Sequence, residues 1–173
     1  KRQDANISTD RTGVHAGARS IITIGGGGTI RTEKHKNISH FALNAEEGII
    51  NMNAKLNQAG EMIGAGNRTT KVYGNIGIID REESANISGS RPTVINLGLT
   101  TSDSVLRGVV LDDFKEHNRN EPDKKDIRER TGLSMYLQNG ATWHNEVWGT
   151  MVPSEPWRGV SHSFTGSKLR SIV

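Results

Sequence analysis

Between Gly132 and Gly149 the chain reads GLSMYLQNGATWHNEVWG. Leu133, Met135 and Leu137 alternate with Ser134, Tyr136 and Gln138, the two-residue period of a strand with one face buried. Asn139 and Gly140 follow, and both tolerate a positive φ, so the chain turns there. Ala141 and Trp143 then alternate with Thr142 and His144. A two-residue hairpin would pair Leu137 with Thr142 and Tyr136 with Trp143. That register splits the apolar set between two faces. A corner avoids the conflict, and a hairpin with a longer loop and a bulge is the other way out. If each strand pairs with other turns of the chain, Leu133, Met135, Leu137, Ala141 and Trp143 all point inward.

The same pattern recurs upstream. Ile21 to Ile24 is a short apolar strand, and Gly25 to Gly28 make a flexible corner after it. Ile38 to Leu43 is another strand. Asn44 to Gln58 carries both periods. Asn44 with Glu47 resembles a capping box, and Ile49, Met52, Leu56 and Ala59 fit a helix face. Gly48 and the many Asn residues weaken a helix, and Ile50, Met52, Ala54 and Leu56 alternate cleanly, so the segment reads as strand. Lys71 to Asp80 is a strand with a corner at Gly74-Asn75. Thr93 to Leu99 and Ser104 to Leu111 repeat the idea. Residues 1–19 are polar and weakly patterned.

Strands that return without a helix between them predict an all-β chain, a β-solenoid with rounds of roughly 20–45 residues. The whole chain reads as one segment of such a solenoid, and Lys1 and the abrupt last strand, Lys168 to Val173, read as cuts in a longer polypeptide. Asp112 to Thr131 interrupts the rhythm with seven acidic and six basic residues. It reads as an exposed excursion, with a short helix over Pro122 to Arg130. Pro153 and Pro156 mark a loop before the final strand.

Composition narrows the picture. In 173 residues, 33% are hydrophobic, with 20 Gly and 4 Pro, and mean hydropathy is −0.56. A thin aliphatic stripe with frequent bends suits a solenoid better than a thick globule. Net charge is only +3, and no basic stripe with interleaved aromatics marks a nucleic-acid footprint. The absence of Cys excludes a disulfide framework and a thiolate zinc site. No apolar run reaches the length of a membrane helix, and no signal peptide is present.

Asn96-Leu97-Gly98-Leu99-Thr100-Thr101-Ser102-Asp103-Ser104, with Leu106, Gly108, Val109 and Val110 after it, resembles rounds of bacterial autotransporter passenger domains. The strand–Asn-Gly-Ala-Thr-Trp–corner pattern of Leu133 to Asn145 resembles them too, as does Val72 with Gly74-Asn75-Ile76-Gly77-Ile78. The likeness spans about residues 48–173. It implies a pertactin-like, right-handed parallel β-helix, exported by a Gram-negative bacterium and displayed at the cell surface. A signal sequence and a C-terminal membrane barrel would lie outside this segment. Most such passengers are adhesins binding host or bacterial cell-surface glycan or protein, and a minority are enzymes.

The residues offer little chemistry beside this. The glycines at 25–28 complete neither a GxGxxG nor a Gly-Lys-Ser/Thr loop. His15, His35, His40, His117, His144 and His162 are scattered, and Ser161-His162-Ser163 lacks a nucleophile elbow. Asp80, Glu82 and Glu83, or Asp112 and Asp113, are the carboxylates that an alternative reading, a β-helical polysaccharide lyase or hydrolase, would use. Asn-Ile-Ser at Asn6, Asn37 and Asn86 and Asn67-Arg68-Thr69 match glycosylation acceptors, and read as polar strand and turn positions. The expectation is a non-enzymatic adhesin without cofactor or metal and without nucleic acid as partner. Trp143 belongs to the core. Trp148 and Trp157 flank polar loops, where exposed indoles stack on sugar rings. Together with Lys115, Arg119, Lys124 and Lys125 they are the candidate ligand contacts.

Overall fold

In a computed structural model, residues 4–17, 19–34, 40–79, 92–113, 131–149 and 171–173 are described. They form strands and no helix. The chain lays down strands in threes. The first round is β1 (Ala5–Thr9), β2 (Val14–Ala16) and β3 (Ile21–Ile24), and the second is β4 (Gly28–Thr32), β5 (Phe41–Glu46) and β6 (Ile49–Met52). An antiparallel hairpin, β7 (Ala54–Leu56) with β8 (Met62–Ala65), then leaves the rhythm. The third round is β9 (Thr70–Tyr73), β10 (Asn75–Ile79) and β11 (Val94–Leu99), and the fourth is β12 (Val105–Arg107), β13 (Val110–Asp113) and β14 (Gly132–Leu137). β15 (Thr142–His144) and β16 (Ser171–Ile172) follow.

Like strands of successive rounds pair in parallel. One sheet runs β1-β4-β9-β12-β15, the second β2-β5-β10-β13 and the third β3-β6-β11-β14-β16. Ala5 lies beside Gly28, Gly28 beside Thr70, Lys71 beside Val105 and Val105 beside Thr142, intervals of 23, 42, 34 and 37 residues. The hairpin accounts for the longest interval.

Because the strands are short and in parallel register, one inward residue per strand builds a column through the stack. In the first sheet the column is Ile7, Ile30, Val72, Leu106 and Trp143. In the third sheet Ile22, Ile50, Ile95 and Leu133 form one column, and Ile24, Met52, Leu97 and Met135 the next. Val14, Leu43, Ile76 and Val110 line up in the second. All belong to, or pack against, a single core. Each fully buried Leu or Ile contributes on the order of 1.5–3 kcal/mol, so narrow columns suffice where a thick core is absent.

The corner at Asn139-Gly140 is as the alternation required. Both residues have positive φ, 55° and 79°. β14 pairs with β11, placing Leu137 beside Leu99, while β15 pairs with β12, placing Thr142 beside Val105. Leu133 and Met135 are fully buried, and Leu137, Ala141 and Trp143 pack against the core from its margin. The bend at Gly74-Asn75 also stands, separating β9 from β10.

Two expectations need correction. Residues 1–19, read as weakly patterned, contain β1 and β2. β2 is so short that its two inward residues, Val14 and Ala16, leave little periodicity to see, and in β1 only Ile7 packs against the core. The strand expected over Asn44 to Gln58 is three strands, and its last part, β7, turns back to form the hairpin. Asn57 marks that turn. Its Oδ1 accepts from the Glu61 backbone N–H at 2.9 Å, and its Nδ2 donates to the Glu61 carboxylate at 3.0 Å. Of the segment read as a charged excursion, Asp112 and Asp113 complete β13 and Thr131 is buried. Residues 114–130 lie outside the described residues, as does the helix expected there.

Candidate binding face

The outward residues of the first sheet are those that alternate with its buried column. Asn6, Thr29, Lys71, Val105 and Thr142 form one row across the five strands, and Ser8, Arg31, Tyr73, Arg107 and His144 form the next. Asn6, Ser8, Arg31, Arg107, Thr142 and His144 are exposed, and Thr29, Lys71, Tyr73 and Val105 half-buried. Neighbouring strands are about 4.8 Å apart, so Arg31 and Arg107, two strands apart, stand about 10 Å apart along the stack.

Arg31 stacks its guanidinium on Tyr73, 4.0 Å from the ring centroid. A cation held over an aromatic face keeps its charge and loses rotamer freedom. Arg107 donates from Nε to the Glu146 carboxylate at 3.1 Å, with 44% of its side chain still exposed. Such an exposed pair orients the arginine more than it stabilises the fold. At the edge, Lys34 lies 4.7 Å from the Trp148 ring centroid. The acids stand at the strand ends, with Asp10 and Glu33 just past β1 and β4 and Glu146 past β15. The middle of the face therefore carries Arg31, Lys71 and Arg107 with no acid on either row.

The segment after β15 crosses back over this sheet's margin. The Trp148 indole N–H donates to the Thr32 carbonyl at 2.9 Å, and its backbone N–H to Asn75 Oδ1 at 2.9 Å. Asn75 returns a bond from Nδ2 to the Trp148 carbonyl and accepts from the Val109 N–H. Tyr73 packs on the indole at 5.9 Å between centroids. Trp148 is thus tied directly to the second and third rounds, and through Asn75 to the fourth.

This corrects the expectation of an exposed, sugar-stacking Trp148. Only 8% of it is exposed, so its face is not offered to a ligand, and polar flanks misled because the polar partners lie underneath it. Trp143 is a margin residue of the core whose indole N–H donates to the Gly108 carbonyl at 3.0 Å. Trp157, Lys115, Arg119, Lys124 and Lys125 lie outside the described residues, as do Asp80, Glu82 and Glu83. Asp112 and Asp113 are placed by their backbones beside Ile78 and Ile79. His15 sits apart from the face, its Nδ1 3.0 Å from Asn44 Nδ2 and its Nε2 3.8 Å from Glu46. Among the described residues no group of three His, Asp or Glu is placed to hold a metal ion.

Sequence reasoning passed over Arg31, Lys71, Tyr73, Arg107 and His144. Four of these directly follow the inward residue of their strand: Ile30-Arg31, Val72-Tyr73, Leu106-Arg107, Trp143-His144. Aligning the short strands on that apolar residue brings the row out.

Comparison with protein-family models, with curated proteins and with solved structures finds no match to this chain.

Proposed function

We propose that the chain is a right-handed parallel β-helix of the autotransporter-passenger kind and serves as a non-enzymatic adhesin segment at a bacterial surface. The observation that supports this is the open outer face of the first sheet. It carries the same two rows of side chains through five parallel strands. A surface that repeats with every round suits extended ligands, because each round adds a small patch beside the last. The partner is a glycan or protein of a host or neighbouring cell. Export and membrane attachment through a barrel elsewhere in a longer chain belong to the same proposal.

The test has two arms. Beads coated with the chain should adhere to cells above uncoated controls. Incubation with neutral and uronate polysaccharides, with and without calcium, should release no product. Failure of the beads to adhere, or turnover abolished by replacing Asp112 or Asp113, overturns the proposal and favours a β-helical lyase or hydrolase.

A further inference from the structure

Building on the adhesin reading, we infer that the outer face of the first sheet binds a linear acidic polysaccharide, laid across the strands along the row Ser8-Arg31-Tyr73-Arg107-His144. Three features carry it. The first is charge placement. Arg31, Lys71 and Arg107 occupy the centre of the face, while Asp10 and Glu33 stand at the strand ends and Glu146 reaches in from its strand end to Arg107. An anionic chain is attracted to the middle and repelled at that margin, which aligns it with the stack rather than with the strands.

The second feature is spacing. The two arginines recur every second strand, about 10 Å apart, a separation that suits acidic groups on alternate sugars of an extended chain. Guanidinium is the better partner for sulfate or carboxylate because it offers a fork of donors to two oxygens. Arg31 is steadied by Tyr73 and Arg107 by Glu146, so less side-chain entropy is lost on binding.

The third feature separates a saccharide from a nucleic acid. Single strands are held by free aromatic faces on which bases stack. Here Arg31 already covers Tyr73, and Trp148 is buried. The other exposed side chains of the two rows are the hydroxyls and amide of Asn6, Ser8 and Thr142, with His144 at the end. These are the groups that pair with sugar hydroxyls.

The experiment measures binding of the chain to immobilised heparin, to duplex DNA and to neutral dextran at fixed ionic strength. Two double variants are compared, Arg31→Gln with Arg107→Gln on the face, and Arg19→Gln with Lys55→Gln away from it. Both remove two charges, and thermal unfolding checks that both fold. Heparin should bind, with dextran not retained and DNA weaker. The face variant should lose affinity on the order of tenfold, as expected when two charge-assisted contacts go. The off-face variant should stay within about twofold, the range of ordinary surface changes. No heparin binding, equal loss in both variants, or DNA held as tightly as heparin overturns the assignment. If beads bearing the face variant adhere to cells as well as the parent, the adhesin reading stands and the polysaccharide site falls.

Discussion

The outer faces of the first and third sheets are built from the same parallel pairing, yet they behave as opposites. On the first sheet Ser8, Arg31 and Arg107 face solvent. On the third, the equivalent row is Thr23, Asn51, Asn96 and Ser134, and its last three members are buried. The β7–β8 hairpin makes part of the difference. It lies against β11 and β14, close enough that Gly98 faces the Asn53 carbonyl and Ala65 with no room for a side chain. Polar residues under such a cover must pair with one another. Asn96 donates to Asn51 at 2.8 Å, and Asn51 to Thr23 at 3.3 Å. Asn53, at the hairpin's root, donates to the carbonyls of Arg68 and Gly98. Burial on both faces turns polar side chains into structural ladders, whereas burial on one face leaves them available to a ligand.

The largest effect should come from the strap that bounds the open face. Trp148→Ala should cost about 3–5 kcal/mol, as large-to-small changes of buried aromatics do. Urea unfolding checks it, and a cost below about 0.5 kcal/mol would return Trp148 to the surface. Inward positions should not distinguish the two sheets. Leu106→Ala in the first and Leu97→Ala in the third should each cost about 2–5 kcal/mol. A large gap between them would mean that the columns do not share one core.

Outward positions should part company. Asn53→Ala strands buried carbonyls at the covered face and should cost about 1–3 kcal/mol, while Ser8→Ala on the open face should stay within about 0.5 kcal/mol. Equal costs in the same unfolding series would erase the contrast between the faces.

Much of the stacking was legible because it follows from local alternation. Leu133, Met135 and Leu137, read against Ala141 and Trp143 across Asn139-Gly140, were enough to reject a two-residue hairpin, since its register would have put the two apolar sets on opposite faces. The antiparallel β7–β8 excursion was not legible. Alternation over Ile50 to Leu56 is the same whether the chain continues or turns back, and the distinguishing bonds of Asn53 and Asn57 are long-range or depend on the turn. Trp148 failed for a related reason: its partners, Thr32 and Asn75, are distant in sequence. The binding row was written one residue after each inward apolar position. It stayed hidden because rounds of 23 to 42 residues share no letters by which to align them.

The contrast between the faces is tested most directly by thiol accessibility, because the chain contains no cysteine of its own. Single cysteines would replace Ser8, Arg31, Arg107 and Thr142 on the open rows, and Asn51, Asn96 and Ser134 on the covered one. Their rates of reaction with a soluble maleimide would be measured under native conditions. The first four should react at nearly the rate of a free thiol, and the last three only as fast as local opening allows. Equal rates in the two sets, after confirming that each variant is folded, would contradict the account.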